Sequence, residues 1–516
     1  VIAERARLGR VPAAPNPRTA LTALTVLARA GLLRPPRPDH ALGMAAALGL
    51  WGLSPAGGYA AHAARHRDRV ALVDPAGSLT YGAVDRLTTD IAAGLRSSGL
   101  GEGDAVGVLC VNDRSFVLAV VALGKVGATV VLLNTGSSVA ALAAIAQDEG
   151  LVAVVHGPSL TPPPGVRSFD ASSLPSVPGA PLVAPGEPGR FVILTSGTTG
   201  RPKGARRSPP ASLDPMVALL SVIPLKAGET TVVAAPLFHA WGFAHWLLGV
   251  ALGSTLVLTG PFDAPSVLAA VESNAATVLV AVPVMLRRLL DVEDAYDTSS
   301  LRVVAVSGSA LPPDLAAKFM DRYGDVLYDL YGSTEVAWAS IATPADLRAA
   351  PGSVGRPPFG TEVRLVDVGD DGVGRIFVGN GLLIEGYTGG GGKEVRDGLM
   401  ATGDLGRWDS DGRLYVVGRE DDMVVSGGEN VFPGPVEEVL GALPGVADVA
   451  VVGVDDEEFG QRLRAVVVLA SAATLSADEV KARVREALGR HYVPRDVTFA
   501  DALPRNAAGK VVKRDL

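Results

Sequence analysis

The chain has 516 residues, enough for roughly three or four compact units at about 150 residues each. It is 48% hydrophobic and 19% charged with a formal charge of −8, which excludes a disordered polymer and a broadly basic nucleic-acid-binding surface. A single cysteine, Cys110, excludes an internal disulfide and a multi-cysteine metal centre, and the expected compartment is reducing and cytoplasmic.

Residues 1–58 read as an N-terminal arm. Its first residues lack the charge-then-apolar order of a signal peptide. The apolar run Ala41–Trp51 is too short to span a bilayer. Two readings are open for it: a helix lying on the inner face of a membrane with Arg29, Arg34 and Arg37 toward anionic lipid, or a helix packed on its own domain.

Beyond the arm, apolar strand-like runs alternate with helical stretches. Leu109–Val111 precedes a helical pattern over Ser115–Val126; Thr129–Leu133, a helix over Val139–Gln147 and a strand over Leu151–Val155 follow. Further strands are predicted at Phe191–Thr195, Thr231–Ala235, Thr255–Leu258, Thr277–Val282 and Val303–Ser307. This is the rhythm of parallel sheets flanked by helices, an α/β fold. Nine prolines between Pro158 and Pro188 mark a surface connector.

From Pro351 the texture changes to short strands broken by glycines, predicted at Glu362–Val366, Gly374–Val378 and Arg413–Val417. A last unit carries strands at Ala447–Val452 and Arg464–Leu469. It then has a helix opened by the capping box Ser476/Glu479, with Val480, Val484 and Leu488 on one face and Pro494 as its stop. The expected division is a large domain over 59–419, with a β-rich subdomain over about 351–419, and a small mobile α+β domain over 420–516.

The sharpest chemical signal is TSGTTGRPKG at Thr195–Gly204, directly after an apolar strand. Glycines let backbone N–H groups turn toward an anion, hydroxyls add donors and Lys203 adds charge, a composition suited to polyphosphate. It is not a Walker A loop, because Lys203 precedes the glycine and no Ser or Thr follows it. His62, His66 and His491 read as surface residues, and no zinc site is expected at them.

At these residues the chain resembles the adenylate-forming superfamily of acyl-CoA synthetases, nonribosomal adenylation domains and beetle luciferases. The resemblance continues in family order through PLFHAWGF (Pro236–Phe243), SGSALP (Ser307–Pro312), YDLYGSTE (Tyr328–Glu335) and TGDLG (Thr402–Gly406). It ends with GREDDMVVSGGENVFPGPVE (Gly418–Glu437) and PRNAAGK (Pro504–Lys510). Together the blocks cover the chain from about Tyr59 onward.

The resemblance implies ATP and Mg²⁺ as cofactors and CoA as cosubstrate. It assigns ATP binding to Thr195, Ser196, Gly197, Thr198, Thr199, Gly200, Lys203, Ser309, Tyr331, Gly332, Ser333, Asp404 and Arg419. Glu335 would hold the metal and Thr334 the α-phosphate; Tyr331 would offer a face to adenine, and Asp404, expected in a Gly-Asp turn, would accept from the ribose with Arg419 beside it. Lys510 would neutralise charge between the attacking carboxylate and the phosphate. Asp421 would be the hinge, and Gly427 and Gly428 would line the path of the pantetheine arm.

His239, Trp241, Phe243 and Gly308 would shape the acyl pocket, with His239 as its gate. No Asp, Glu, Lys or Arg falls between Pro236 and Leu252, so an apolar acid is expected. Trp246 is expected to crowd the same segment. The implied reaction makes acyl-CoA from a medium- or long-chain fatty acid, and SGGENVFPGPVE resembles CoA ligases more than amino-acid activators. A free-standing acyl-AMP ligase serving a carrier protein, or an aryl-acid CoA ligase, stays open.

Overall fold

The structure is a computed structural model. It describes residues 17–33, 37–195, 203–207, 212–426, 429–456, 460–471, 473–506 and 510–516. Among these residues the chain builds an α/β fold with two large sheets, a β-rich part and a small C-terminal domain.

The first large sheet has eight strands in the order Ser340–Ala342, Leu327–Tyr331, Val303–Val306, Val278–Ala281, Thr230–Val233, Thr255–Val257, Val70–Asp74 and Gly77–Thr80. Its six inner strands are parallel and its two edge strands antiparallel. The second runs Gly386–Tyr387, Lys203–Arg206, Phe191–Thr195, Thr129–Leu132, Ala105–Leu109, Ala153–His156 and Arg167–Asp170. Here too the inner strands are parallel; Lys203–Arg206 returns antiparallel on Phe191–Thr195. Inner runs such as Val278–Ala281 and Val303–Val306 are apolar throughout because helices cover both faces, whereas the edge strands Gly77–Thr80 and Arg167–Asp170 are partly polar and exposed.

The helix Arg114–Val126 explains how the two sheets share one core. Its sequence, RSFVLAVVALGKV, is apolar on nearly every face, and Phe116, Val117, Val120, Val121 and Leu123 are all fully buried. Asp113 caps it by accepting from the Ser115 N–H at 2.8 Å, and Gly127 ends it in a left-handed conformation. Lys125, also buried, is satisfied by Asp85 Oδ1 at 2.6 Å and Thr89 Oγ1 at 2.7 Å. Its ammonium lies 5.8 Å from the Trp51 ring centroid, which ties the N-terminal arm to the body.

A third, antiparallel sheet joins Glu362–Val366, Gly374–Gly379, Leu399–Trp408, Val395–Arg396 and Leu414–Arg419. The C-terminal sheet joins Val424–Ser426, Glu429–Val431, Gly460–Leu469, Val446–Asp456 and Asp496–Ala500 around its own core of Val436, Leu440, Val451, Val467, Val480 and Val484. The capping box of the helix Ala477–Leu488 forms as expected. Its stop is not Pro494 but Gly489, whose φ of 91° breaks the helix one residue after Leu488.

Other expectations need correction. Asp404 is not in a turn: it sits within the ten-residue strand Leu399–Trp408, opposite Arg419. His62 is not a surface residue, because its ring packs on Tyr81 at 5.0 Å between centroids and on Gly253. In the arm, Pro38–Trp51 is helical and lies on the helix Pro55–His66, with Leu42, Leu50 and Leu53 exposed. No described helix is long and apolar enough to cross a membrane.

Candidate active site

The strands Thr230–Val233, Val303–Val306 and Leu327–Tyr331 are parallel, so the segments 234–239, 307–309 and 332–335 leave from one edge of the sheet, where open α/β sheets bind ligands. Gly332 is required sterically: a Cβ there would lie 2.2 Å from the Ala337 carbonyl oxygen. That close return pins the 332–337 segment. Ser333 Oγ accepts from the N–H groups of Glu335 and Val336, and the Glu335 carbonyl accepts from Ile384 N–H.

The Glu335 side chain accepts from the Tyr387 hydroxyl at 2.9 Å through one carboxylate oxygen. Lys203 reaches the same tyrosine from the strand that leaves the phosphate loop, with its ammonium 5.4 Å from the ring centroid. Arg207, just beyond that strand, donates from Nη2 to the Thr334 carbonyl at 2.7 Å. Burial pulls the Arg207 guanidinium down to about 10, against the opposing charge of Glu335. This donor set fits Mg²⁺, a hard cation that takes one carboxylate plus phosphate oxygens and needs no protein cage. Among the described residues no group of three His, Cys, Asp or Glu could hold a metal.

A second polar knot centres on Asp404. Tyr331 donates its hydroxyl to Asp404 Oδ2 at 2.6 Å and Arg419 approaches Oδ1 at 3.4 Å. Tyr331 therefore presents its hydroxyl as well as its ring. Burial raises the Asp404 carboxyl, while Tyr331, Arg419, Lys510 and Lys393 favour its charged form. A side chain at Gly403, φ 86°, would lie 3.2 Å from both Arg419 Nη2 and Lys393 Nζ. A Cβ there would crowd both cations on a left-handed backbone that favours glycine.

The charge of Lys510, on the C-terminal domain, favours the ionised form of Asp404. Lys510 sits on a short loop closed by the Arg505–Val511 bridge, with the Asn506 N–H on the Lys510 carbonyl at 2.9 Å and the Lys510 N–H on Asn506 Oδ1 at 3.0 Å. Arg505 Nη2 anchors the loop on Asp448 at 2.6 Å. Asp421 lies in the helical turn Glu420–Asp422 directly after the strand Leu414–Arg419, and Arg419 Nε donates to it at 2.7 Å.

The segment expected to take the acid is built differently. Asn112, buried, donates to the carbonyls of Val233 and Ala235 and accepts from Leu237 N–H, fixing the turn that delivers His239. His239 stands at the N-terminal end of the helix Ala240–Ala251 without a side-chain cap bond; its Nε2 is buried and, among the described residues, has no partner, and burial pulls the imidazole down to about 4. Trp241 donates from Nε1 to the Ala281 carbonyl at 3.0 Å, and Phe243 packs on Phe191 at 5.0 Å. Gly308, φ 98°, and Ser309 follow the strand Val303–Val306, and Gly308 is exposed. Trp246 is a correction: it belongs to the core, bonded to Tyr59 and edge-on to Phe116, not to a pocket wall.

Ser196, Gly197, Thr198, Thr199, Gly200, Gly427 and Gly428 lie outside the described residues, and of Thr195 only its place at the end of a strand is described. Sequence reading missed Arg207, Tyr387, Lys393 and Asn112. For Arg207 a signal existed: Arg206 ends a strand and Arg207 follows it, and strand alternation sends one of two such neighbours inward.

The AMP-binding enzyme family model matches residues 59–388, and the AMP-binding enzyme C-terminal domain model matches 435–510. A feruloyl-CoA synthase of an Amycolatopsis species is 35% identical over 461 residues, covering 85% of this chain and 93% of that protein. The long-chain-fatty-acid–CoA ligase FadD13 of Mycobacterium tuberculosis is 28% identical, covering 84% and 92%. The solved o-succinylbenzoate CoA synthetase of Bacillus subtilis, in complex with ATP and magnesium ion, superposes with a TM-score of 0.80 at 28% identity, covering 89% of this chain and 98% of that one. The chain belongs to the AMP-binding enzyme family and, within it, to the adenylate-forming acid–CoA ligases.

Proposed function

We propose that this chain activates an apolar carboxylic acid, a medium- or long-chain fatty acid, in two steps. A carboxylate oxygen attacks the α-phosphorus of ATP and pyrophosphate leaves, giving acyl-AMP. The CoA thiolate then attacks the acyl carbonyl and AMP leaves, giving acyl-CoA. The observation that carries the reading is the meeting of Tyr331, Arg419 and the charge of Lys510 on Asp404.

In this reading Asp404 and Arg419 hold the ribose, and Thr195–Gly200, Lys203, Ser309, Gly332 and Ser333 line the nucleotide. Thr334 contacts the α-phosphate. Mg²⁺ bound at Glu335 would offset charge on the phosphates. Lys510, supplied by a domain that turns about Asp421, neutralises charge building between the reacting carboxylate and phosphate. Gly427 and Gly428 would admit the pantetheine arm in the second step. The division at residues 58, 419 and 420 is part of the proposal.

The fatty-acid assignment rests on the apolar stretch around Trp241 and Phe243. His239 there is neutral and no charged residue falls between Pro236 and Leu252, so a charged substrate tail would lose its water without gaining a partner. An aryl acid is the second reading, favoured by the feruloyl-CoA synthase relative. The exposed leucines Leu42, Leu50 and Leu53 support a peripheral membrane contact by the arm, consistent with an acid that partitions into lipid. ATP–pyrophosphate exchange with acids of increasing chain length and with ferulate tests the assignment. Exchange rising toward octanoate and longer acids supports the fatty-acid reading, and a preference for ferulate replaces it with the aryl one.

A further inference from the structure

Arg207 holds a place that packing alone does not explain. It follows the strand Lys203–Arg206, and its neighbour Arg206 is exposed while Arg207 turns inward. Inside, Nη2 donates to the Thr334 carbonyl at 2.7 Å. Its Nε is buried and, among the described residues, has no hydrogen-bond partner. A buried N–H without an acceptor is costly, and an uncharged side chain could line the same strand without it.

Every other backbone restraint on the 333–335 segment is local or neutral. Ser333 Oγ takes two N–H groups, Ile384 N–H holds the Glu335 carbonyl, and the Tyr387 hydroxyl holds one oxygen of the Glu335 carboxylate. Among the described residues, Arg207 alone brings a full positive charge to the carbonyl between Thr334 and Glu335. We infer that Arg207 is a positioning residue for the metal–nucleotide site: it fixes the Thr334–Glu335 peptide so that the Glu335 carboxylate is aimed at the phosphate-bound cation. It touches neither reacting atom. The inference rests on the proposed role of Glu335.

The test compares the parent with Arg207→Met, Arg207→Lys, Glu335→Gln and the double variant Arg207→Met/Glu335→Gln. Calorimetry measures binding of a non-hydrolysable ATP analogue at a series of Mg²⁺ concentrations, and exchange assays separate KM for MgATP from kcat. Arg207→Met is expected to raise the Mg²⁺ concentration for half-maximal analogue binding about tenfold and to raise KM for MgATP more than it lowers kcat. Arg207→Lys should recover part of the loss. The double variant should bind no worse than Glu335→Gln alone, because the arginine acts through the glutamate.

An unchanged Mg²⁺ requirement in Arg207→Met, with or without a lower melting temperature, overturns the inference. So does additivity in the double variant, which would make Arg207 a direct ligand of the nucleotide. If Arg207→Met does not fold, Arg207→Lys decides by the same Mg²⁺ titration: a shift supports the inference and none overturns it. If Glu335→Gln leaves the Mg²⁺ requirement unchanged, the role of Glu335 fails first; an Arg207→Met shift in that background then overturns the route through Glu335.

Discussion

The two ends of the site are held in opposite ways. At the nucleotide end, charge is exposed to charge: Asp404 collects Tyr331, Arg419 and the fields of Lys393 and Lys510, and Glu335 takes the Tyr387 hydroxyl. At the acid end the ionisable groups are neutral and packed, with His239 and His245 both buried and Trp241 edge-on to His245 at 4.3 Å. A triphosphate needs fixed charges to meet it, whereas an apolar tail needs the absence of them.

The largest expected effect breaks the first end. Lys510→Ala should slow adenylation at least 10²-fold, corresponding to about 3–4 kcal/mol of transition-state stabilisation, while thioester formation from supplied acyl-AMP stays largely intact. Separate assays of the two half-reactions check this, and full exchange activity in the variant would remove Lys510 from the mechanism. Asp421→Pro addresses the same contrast through the hinge: fixing φ near −65° should spare one half-reaction and disable the other.

The packed end should betray itself in acid. Burial pulls the His245 imidazole down to about 3, so below about pH 6.5 the unfolded chain takes up a proton that the folded one refuses. Stability from this group is present above that pH and lost as pH falls. His245→Leu should therefore gain on the parent by about 2 kcal/mol between pH 7 and pH 5, read from paired denaturation curves. Asp329, whose burial raises it to about 7, shifts stability the other way and is common to both proteins. A constant difference across that range would mean that the ring is solvated.

The smallest effect sharpens the comparison. Each methylene added to the acid should gain about 0.8 kcal/mol in specificity until the apolar wall ends, and then nothing. A flat series, or a preference for acetate, would show that the acid end does not read hydrocarbon.

Much of this was legible in order and composition. The strands Phe191–Thr195 and Glu362–Val366 fall where the sequence puts them, because β-branched and apolar runs bounded by glycine and proline leave few alternatives. The capping box at Ser476 was equally plain. What failed was long-range. TGDLG looks like a turn from its glycines, yet Leu399–Trp408 continues through it because Leu414–Arg419 and Gly374–Gly379 supply the pairing. Trp246 was misassigned since sequence places it beside Trp241, and only the helix geometry turns it toward Tyr59 and Phe116. Lys393 depends on its place beside Gly403 and on its charge acting on Asp404, which no local pattern encodes.

Arg419 gives one guanidinium two obligations. It faces Asp404 at 3.4 Å and donates to Asp421 at 2.7 Å, two residues further along the chain. Any ligand that draws on this guanidinium changes what is left for Asp421, and any turn about Asp421 changes what is left for the ligand. With Arg419 on the nucleotide and Asp421 as the hinge, as proposed, thermodynamic linkage makes the two effects equal: the factor by which nucleotide biases the rotation is the factor by which the rotation alters nucleotide affinity. In the proposed cycle, departure of AMP and return of the C-terminal domain are coupled through this single side chain, which gives the cycle its own timing.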